Sequence, residues 1–283
     1  MGDVAAEPID AGDLAKRVAT ADAERLSASL SPGRVHVWCV TGEDIDDPAL
    51  LRQGVTDLSA TEAARAARFA RREDRHHFII GKWMLRHLLA AYLSTAPRDI
   101  VFATNQHGRP ELAGCNRLPL HFNLSHTDGL VACAFASGIK IGIDAEYVRP
   151  SRFDIEVARN YFSVEAWRDI LDGCGISQTE RFFEYWVLTE ARAKARGVGL
   201  LRPADGSFVH ERDDRSRIRF VSSQASDPTD WTFWLSEPAA GYRMAVAMAG
   251  EPDGPPIVRR LRPDGFCGTN CRTIASSRAF RWT

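Results

Sequence analysis

The stretch Ile139–Val148 reads I-K-I-G-I-D-A-E-Y-V. Ile139, Ile141, Ile143 and Ala145 alternate with Lys140, Gly142, Asp144 and Glu146, and that period of two belongs to a half-buried strand. Asp144 and Glu146 therefore point to one face, a pleat apart, at the strand's C-terminal end. Two carboxylates this close repel each other unless a cation sits between them. Their oxygens suit Mg²⁺, which takes one or two protein carboxylates and fills its other positions with water and substrate phosphate. For the pair alone, a strand ending in solvated acids is the simpler account; the rest of the chain shifts the balance.

The chain has 283 residues, enough for one large domain or two smaller ones with ample core. At 45% hydrophobic and 26% charged, it has the make-up of a soluble globular protein. A net charge of -1 argues against a general binder of nucleic acid or membrane, and no apolar run approaches the length of a membrane span. The N-terminus lacks a basic region followed by an apolar one, and Ala6 stands where a myristoylation signal needs Ser or Thr, so neither signal peptide nor lipid anchor is expected. Cysteines stand at 39, 115, 133, 174, 267 and 271; Cys267 and Cys271 are close, but no His or Cys pair stands nearby to complete a zinc site. A cytoplasmic monomer with reduced thiols is the simplest expectation.

Residues 1–33 are Ala- and Asp-rich and read as an arm without chemistry. Val35 to Val40 is a strand signal. Ser59-Ala60-Thr61-Glu62 carries a capping-box pattern. The arginines at 65, 68, 71, 72 and 75 read as a solvated helix face. From about Arg75 to Leu93, apolar residues at 78, 79, 85, 88, 89 and 92 keep helical spacing. Gly108-Arg109-Pro110 is a turn signal. A three-strand meander follows, with turns at Asp128-Gly129 and Ser137-Gly138 and with Ile139–Val148 as its third strand. Its first and third strands run the same way, which sets Asn123 to His126 at one sheet edge with Asp144 and Glu146.

Arg149-Pro150-Ser151 marks a boundary between halves at 34–149 and 150–250. The second half repeats the order of the first, a helix from about Thr179 to Arg196 and then strands at 218–221, 231–235 and 242–249. The expected fold is an α+β pseudo-dimer, each half an antiparallel sheet packed on a long helix. The tail, 251–283, is Pro-, Gly- and Arg-rich and is expected to be poorly ordered.

The helix of the second half reads F-F-E-Y-W-V-L-T-E-A-R-A-K-A-R-G-V-G-L from Phe182. Phe183, Trp186, Val187, Glu190, Ala191 and Lys194 share one stripe. Its apolar face thus turns charged in the last two turns, where Glu190 and Lys194 form either a buried salt bridge, costly in desolvation, or the wall of a site. Gly197 and Gly199 end the helix and allow close approach of backbone or ligand.

Together these residues resemble the 4'-phosphopantetheinyl transferase superfamily, of the large pseudo-dimeric kind typified by the surfactin synthetase activator. The likeness runs from about Val35 to Ala249. It rests on Gly108-Arg109-Pro110, F-N-L-S-H at 122–126, G-I-D-A-E at 142–146, Y-F-S-V-E at 161–165 and W-V-L-T-E-A-R-A-K at 186–194, in that order. Thr189 departs from the Lys that the family carries before the helix glutamate, and Arg109 replaces a loop Lys. The resemblance implies transfer of phosphopantetheine from coenzyme A to a serine of an apo acyl, peptidyl or aryl carrier protein, with release of adenosine 3',5'-bisphosphate. It implies Asp144, Glu146 and Glu190 as ligands of Mg²⁺, or Mn²⁺ in its place. Lys194 would neutralise the α-phosphate, and His126, Ser125 and Asn123 would bind phosphate. Arg65, Lys82, Arg86 and Arg109 are candidates for the nucleotide. Glu190 or Glu165 would accept the serine proton. A lapsed member of the fold serving as a binding module is the alternative, supported by Thr189 alone. An unrelated nucleoside-triphosphate phosphotransferase is a weaker one, since no G-x-x-x-x-G-K-[ST] loop is present. Arg192 and Arg196, on the helix face away from the stripe, are expected at the surface, where they would attract an acidic carrier.

Overall fold

The computed structural model describes residues 30–104, 110–113, 120–173, 176–197, 206–211, 217–221, 230–262, 265–268 and 272–277. The first half contains β1 (Val35–Thr41), α1 (Pro48–Asp57), α2 (Ala60–Ala66), α3 (Arg72–Leu93), β2 (Phe102–Thr104), β3 (Pro110–Leu112), β4 (Leu120–Thr127), β5 (Leu130–Ser137) and β6 (Ile141–Tyr147). The second contains α4 (Ile155–Tyr161), α5 (Val164–Asp172), α6 (Gln178–Arg196), β7 (Ser207–His210), β8 (Ile218–Val221), β9 (Trp231–Glu237) and β10 (Tyr242–Ala249). Three more strands close the chain: β11 (Ile257–Arg262), β12 (Gly265–Gly268) and β13 (Arg272–Ser276).

Two sheets lie face to face between two long helices. One sheet runs β12-β11-β1-β5-β4 and the other β13-β9-β10-β6. The alternation of each strand explains the layering. Val35, Val37 and Cys39 of β1 and Leu130, Ala132, Ala134 and Ala136 of β5 meet Ile141, Ile143, Ala145, Trp234, Met244, Val246 and Met248 between the sheets. The opposite side chains of β1 and β5, among them Trp38, Val40, Val131, Cys133 and Phe135, pack under α3. On the outer face of the second sheet, Phe233, Leu235, Ala245 and Ala247 pack under α6, against Phe183, Val187, Leu188, Ala191 and Ala195. Because β1 and β5 are covered on both faces, they read as continuous apolar runs. The chain is thus the α+β pseudo-dimer expected, one long helix on each sheet.

The cap expected at Ser59 is present, and a second one starts α6. Ser59 and Glu62 close a capping box on α2, and Ser177 with Glu180 does the same on α6. Gly197 takes φ +71° to end α6. Among the described residues no helix is long and apolar enough to cross a membrane.

Two expectations are corrected. β6 is not the third strand of a meander, for it pairs antiparallel with β10 in the second sheet. It still runs alongside β4, in the direction expected, but side chains make the bonds. Asn123 Oδ1 accepts from Ile143 N at 2.9 Å, Ser125 Oγ from Ala145 N at 3.2 Å and Thr127 Oγ1 from Tyr147 N at 3.2 Å. The tail, in turn, is not disordered over its described residues: β11 adds in parallel to β1, and β13 pairs with β9. Its arginines are engaged, not merely solvated. The Arg259 guanidinium stacks 5.1 Å from the Trp38 ring, and Arg260 bonds Asp44 at 2.8 Å. Cys271, Cys115, Cys174, the 1–29 arm and the Cys267 side chain lie outside what is described.

Candidate active site

The site forms where β6 meets α6. Gly142 precedes the two acids on the same face of β6, and it is what lets the helix come down. A Cβ there would lie 2.1 Å from Ala191 O and 2.4 Å from Ala195 N. The close approach sets Lys194 directly over the strand. Its Nζ donates to Asp144 Oδ1 at 2.7 Å and to Ser125 Oγ at 3.0 Å. Ser125 Oγ donates in turn to Asp144 Oδ1 at 2.9 Å. The second oxygen of Asp144, Oδ2, is buried and meets no hydrogen-bond partner among the described residues.

Glu146 Oε2 accepts from Thr127 Oγ1 at 3.0 Å and lies 3.8 Å from the Arg152 guanidinium. Burial, and then the charge of Asp144, push its carboxyl up to about 6. Glu190, on α6 one turn before Lys194, is also raised, again by burial and then by Asp144; Lys194 partly offsets this. Tyr161 of α4 donates to Glu190 at 3.4 Å. Asp144 thus acts on both glutamates, which puts three acidic groups from two elements in one electrostatic neighbourhood. No three His, Cys, Asp or Glu side chains among the described residues are gathered tightly enough to hold a metal as they stand. In this arrangement the cation facing Asp144 is Lys194.

His126, at the end of β4, is exposed and stacks on His77 of α3 at 5.8 Å between ring centres and 9° between planes. Crowding by protein on its inner side lowers its pKa, and His77 and Lys194 add to that. Burial lowers His77 likewise, and its Nε2 accepts from Gly129 N.

The remaining candidates, Ser125 excepted, have their contacts elsewhere. Lys82 and Arg86 of α3 both bond Glu62, at 3.0 and 2.7 Å. Arg86 is 5% exposed and also donates to Ile100 O at 2.7 Å, so it ties α2 to α3 and faces inward, not toward an open anion site. Arg65 is exposed beside the Phe78 ring. Asn123 and Ser125 are buried in the seam with β6. Glu165 stands exposed in the first turn of α5, its carboxyl lowered by its own backbone N–H and by Ser163. Arg109 and Gly199 lie outside the described residues. One expectation about α6 fails because the helix is enclosed nearly all round. Arg192 is 1% exposed and stacks 4.0 Å from the Phe220 ring, so it forms no surface patch. Thr189, where the family carries Lys, is 7% exposed and donates to Tyr185 O at 2.8 Å, an interior position. Tyr161, Arg152 and Thr127 were not singled out by the sequence. The repeat N-x-S-x-T at 123–127 was the signal available for the last of them.

Glu62 gives a testable pH dependence. Burial alone would raise its carboxyl, but hydrogen bonds from Arg86, Ser59 N–H and Lys82 outweigh this and hold it at about 2, against 4.5 for an ordinary glutamate. A depressed folded pKa contributes stability fully above the unfolded value and loses it as pH falls through the folded one. Between about pH 4.5 and 2, Glu62 should therefore account for a loss of roughly 2–3 kcal/mol. Denaturation of the wild type and Glu62→Gln across that window checks this, with a flatter pH slope expected for the variant.

Both halves of the chain match known proteins. The model of the 4'-phosphopantetheinyl transferase superfamily matches residues 140–247, and that of the N-terminal part of 4'-phosphopantetheinyl transferases matches 48–137. The 4'-phosphopantetheinyl transferase HetI of Nostoc sp. is 34% identical over 225 residues, covering 78% of this chain and 90% of its own. The 4'-phosphopantetheinyl transferase Sfp of Bacillus subtilis is 31% identical over 199 residues, covering 70% and 84%. With both halves matched and the acidic strand and its helix inside the match, the chain belongs to the 4'-phosphopantetheinyl transferase superfamily and is an enzyme of that class.

Proposed function

We propose that the enzyme transfers 4'-phosphopantetheine from coenzyme A to a serine of an apo acyl, peptidyl or aryl carrier protein. The observation that carries this reading is the constellation at the junction of β6 and α6: Asp144, Glu146, Glu190 and Lys194. The serine oxygen bonds to the β-phosphorus of the pyrophosphate, the bond to the α-phosphate oxygen breaks, and adenosine 3',5'-bisphosphate leaves. Such a displacement is governed by positioning and by neutralising charge at both phosphates.

Mg²⁺, or Mn²⁺, fits the residues present. A buried carboxylate oxygen with no hydrogen-bond partner among the described residues, Asp144 Oδ2, and two glutamates with raised pKa make an all-oxygen donor set. Asp144, Glu146 and Glu190 would hold the ion, which when bound neutralises pyrophosphate charge. Lys194 would neutralise the α-phosphate, where negative charge builds on the leaving group. His126, at the exposed end of β4, would bind phosphate, and Arg65 and Lys82 would meet the nucleotide, Lys82 from its pair with Glu62. The serine proton passes to Glu190 or Glu165. The raised carboxyl of Glu190 is better matched to accept it than that of Glu165, which is held low by its helix cap.

Asp144→Ala is expected to abolish transfer, because it removes one of the three carboxylates that would hold the ion, and to leave the fold intact. Thermal melting provides the direct check. Coenzyme A with Mg²⁺ should raise the melting temperature of the wild type, ATP should not, and Asp144→Ala should show no metal-dependent part of the rise. Near-normal turnover of Asp144→Ala in Mg²⁺, or stabilisation by ATP alone, would overturn the assignment.

A further inference from the structure

We infer that Thr127 is a positioning residue of the reaction, with Ser125 its counterpart one pleat away, so that the seam between the two sheets at β4 and β6 and the aim of the active carboxylates are the same set of bonds. This deepens the metal reading above and rests on it. Thr127 Oγ1 accepts from Tyr147 N at 3.2 Å and donates to Glu146 Oε2 at 3.0 Å. Ser125 Oγ accepts from Ala145 N at 3.2 Å and donates to Asp144 Oδ1 at 2.9 Å. The geometry repeats: each hydroxyl takes an N–H of β6 and passes its own proton to the carboxylate of the preceding β6 residue. Asn123 makes only the first of these bonds, to Ile143 N, and the residue before Ile143 is Gly142, which has no carboxylate to orient.

A hydroxyl has one proton and accepts through its lone pairs. Once the β6 amide occupies an acceptor position, the O–H is directed at the carboxylate. Threonine adds a stiff χ1 to that restraint. Partners behind a metal's ligands commonly govern its affinity in this way. Neither strand alone could set the carboxylates, since β6 has its hydrogen-bonding edge toward β10 and its other edge toward these side chains.

The test compares Thr127→Val, which keeps shape and loses the hydroxyl, with Thr127→Ser, which keeps the hydroxyl. The full-length protein is titrated with Mn²⁺ in the presence of coenzyme A and followed by electron paramagnetic resonance. The expected result is an affinity lowered about 10-fold in Thr127→Val and restored to within about 2-fold in Thr127→Ser. A Glu146→Gln background guards against a loss that comes only from the fold, because there Thr127→Val should change Mn²⁺ affinity no further. Equal Mn²⁺ affinity in wild type and Thr127→Val would overturn this inference alone, as would an undiminished effect in the Glu146→Gln background. A wild type that binds no Mn²⁺ would overturn it together with the metal reading.

Discussion

Gly142→Ala is expected to destabilise the protein by about 3 kcal/mol or more and to remove activity from whatever still folds. Overpacking of a well-filled contact ordinarily costs about 1–3 kcal/mol. Here the added methyl meets backbone, 2.1 Å from Ala191 O and 2.4 Å from Ala195 N, so no side chain can rotate to make room. Either the helix lifts off β6 or the strand bends. Both move Lys194 from its 2.7 Å bond to Asp144, so the damage reaches the site as well as the fold. The control is Gly254→Ala, where nothing lies within 4 Å and a change within about 0.5 kcal/mol is expected. Chemical denaturation of the two variants measures the difference. Equal midpoints would mean that α6 does not ride on β6 as closely as described.

Glu184→Ala should be the most destabilising change away from the site. Glu184 is 1% exposed and accepts from Arg181 at 2.7 Å and from Arg243 Nε at 3.3 Å, with His210 Nε2 at 3.3 Å. Arg243 reaches on to Glu180 at 2.8 Å, and Arg181 to Asp169 at 3.2 Å. The network joins α5, α6, β7 and β10 through charges that have left water. Removing the shared anion leaves Arg181 held by Asp169 and Arg243 by Glu180 and Glu237, all outside the centre of the network, so the loss is expected to reach about 3 kcal/mol, the low end for a broken buried pair. Glu184→Gln keeps the shape and one acceptor oxygen and should lose less. Because the network lies in the N-terminal half of α6, turnover per folded molecule should hardly change. Denaturant titration gives the first quantity and active-fraction kinetics the second. A Glu184→Ala protein as stable as wild type would show that Asp169, Glu180 and Glu237 suffice to hold both arginines.

What the sequence shows and what it hides divide along physical lines. β6 and the stripe on α6 are legible because burial imposes a period on each. The pair of acids and the glutamate-lysine turn stand out because charge interrupts an apolar pattern. The seam between β4 and β6 is hidden for the same reason: Asn123, Ser125 and Thr127 substitute for backbone groups without altering the alternation of either strand. The enclosure of α6 is hidden too. A helix with arginines on its second face reads as half-solvated, but Phe220 of β8 covers Arg192 and the packing buries Thr189. The tail misleads through composition, since Arg259 and Arg260 count as solvated charges until Trp38 and Asp44 are placed beside them. Arg86 misleads similarly, because a basic residue near a nucleotide candidate can as well be the partner of a buried Glu62.

The central claim is that the β6–α6 junction moves phosphopantetheine onto a carrier serine. The measurement is the intact mass of apo-carrier proteins, taken from fatty-acid, polyketide and peptide synthesis, after incubation with the enzyme, coenzyme A and Mg²⁺. At least one carrier is expected to gain the mass of one phosphopantetheine at its serine, with one adenosine 3',5'-bisphosphate released per modification. Neither should occur with chelator or with Asp144→Ala. If the protein binds coenzyme A yet no carrier gains mass, the account is contradicted and the chain is a binding module built on a transferase fold.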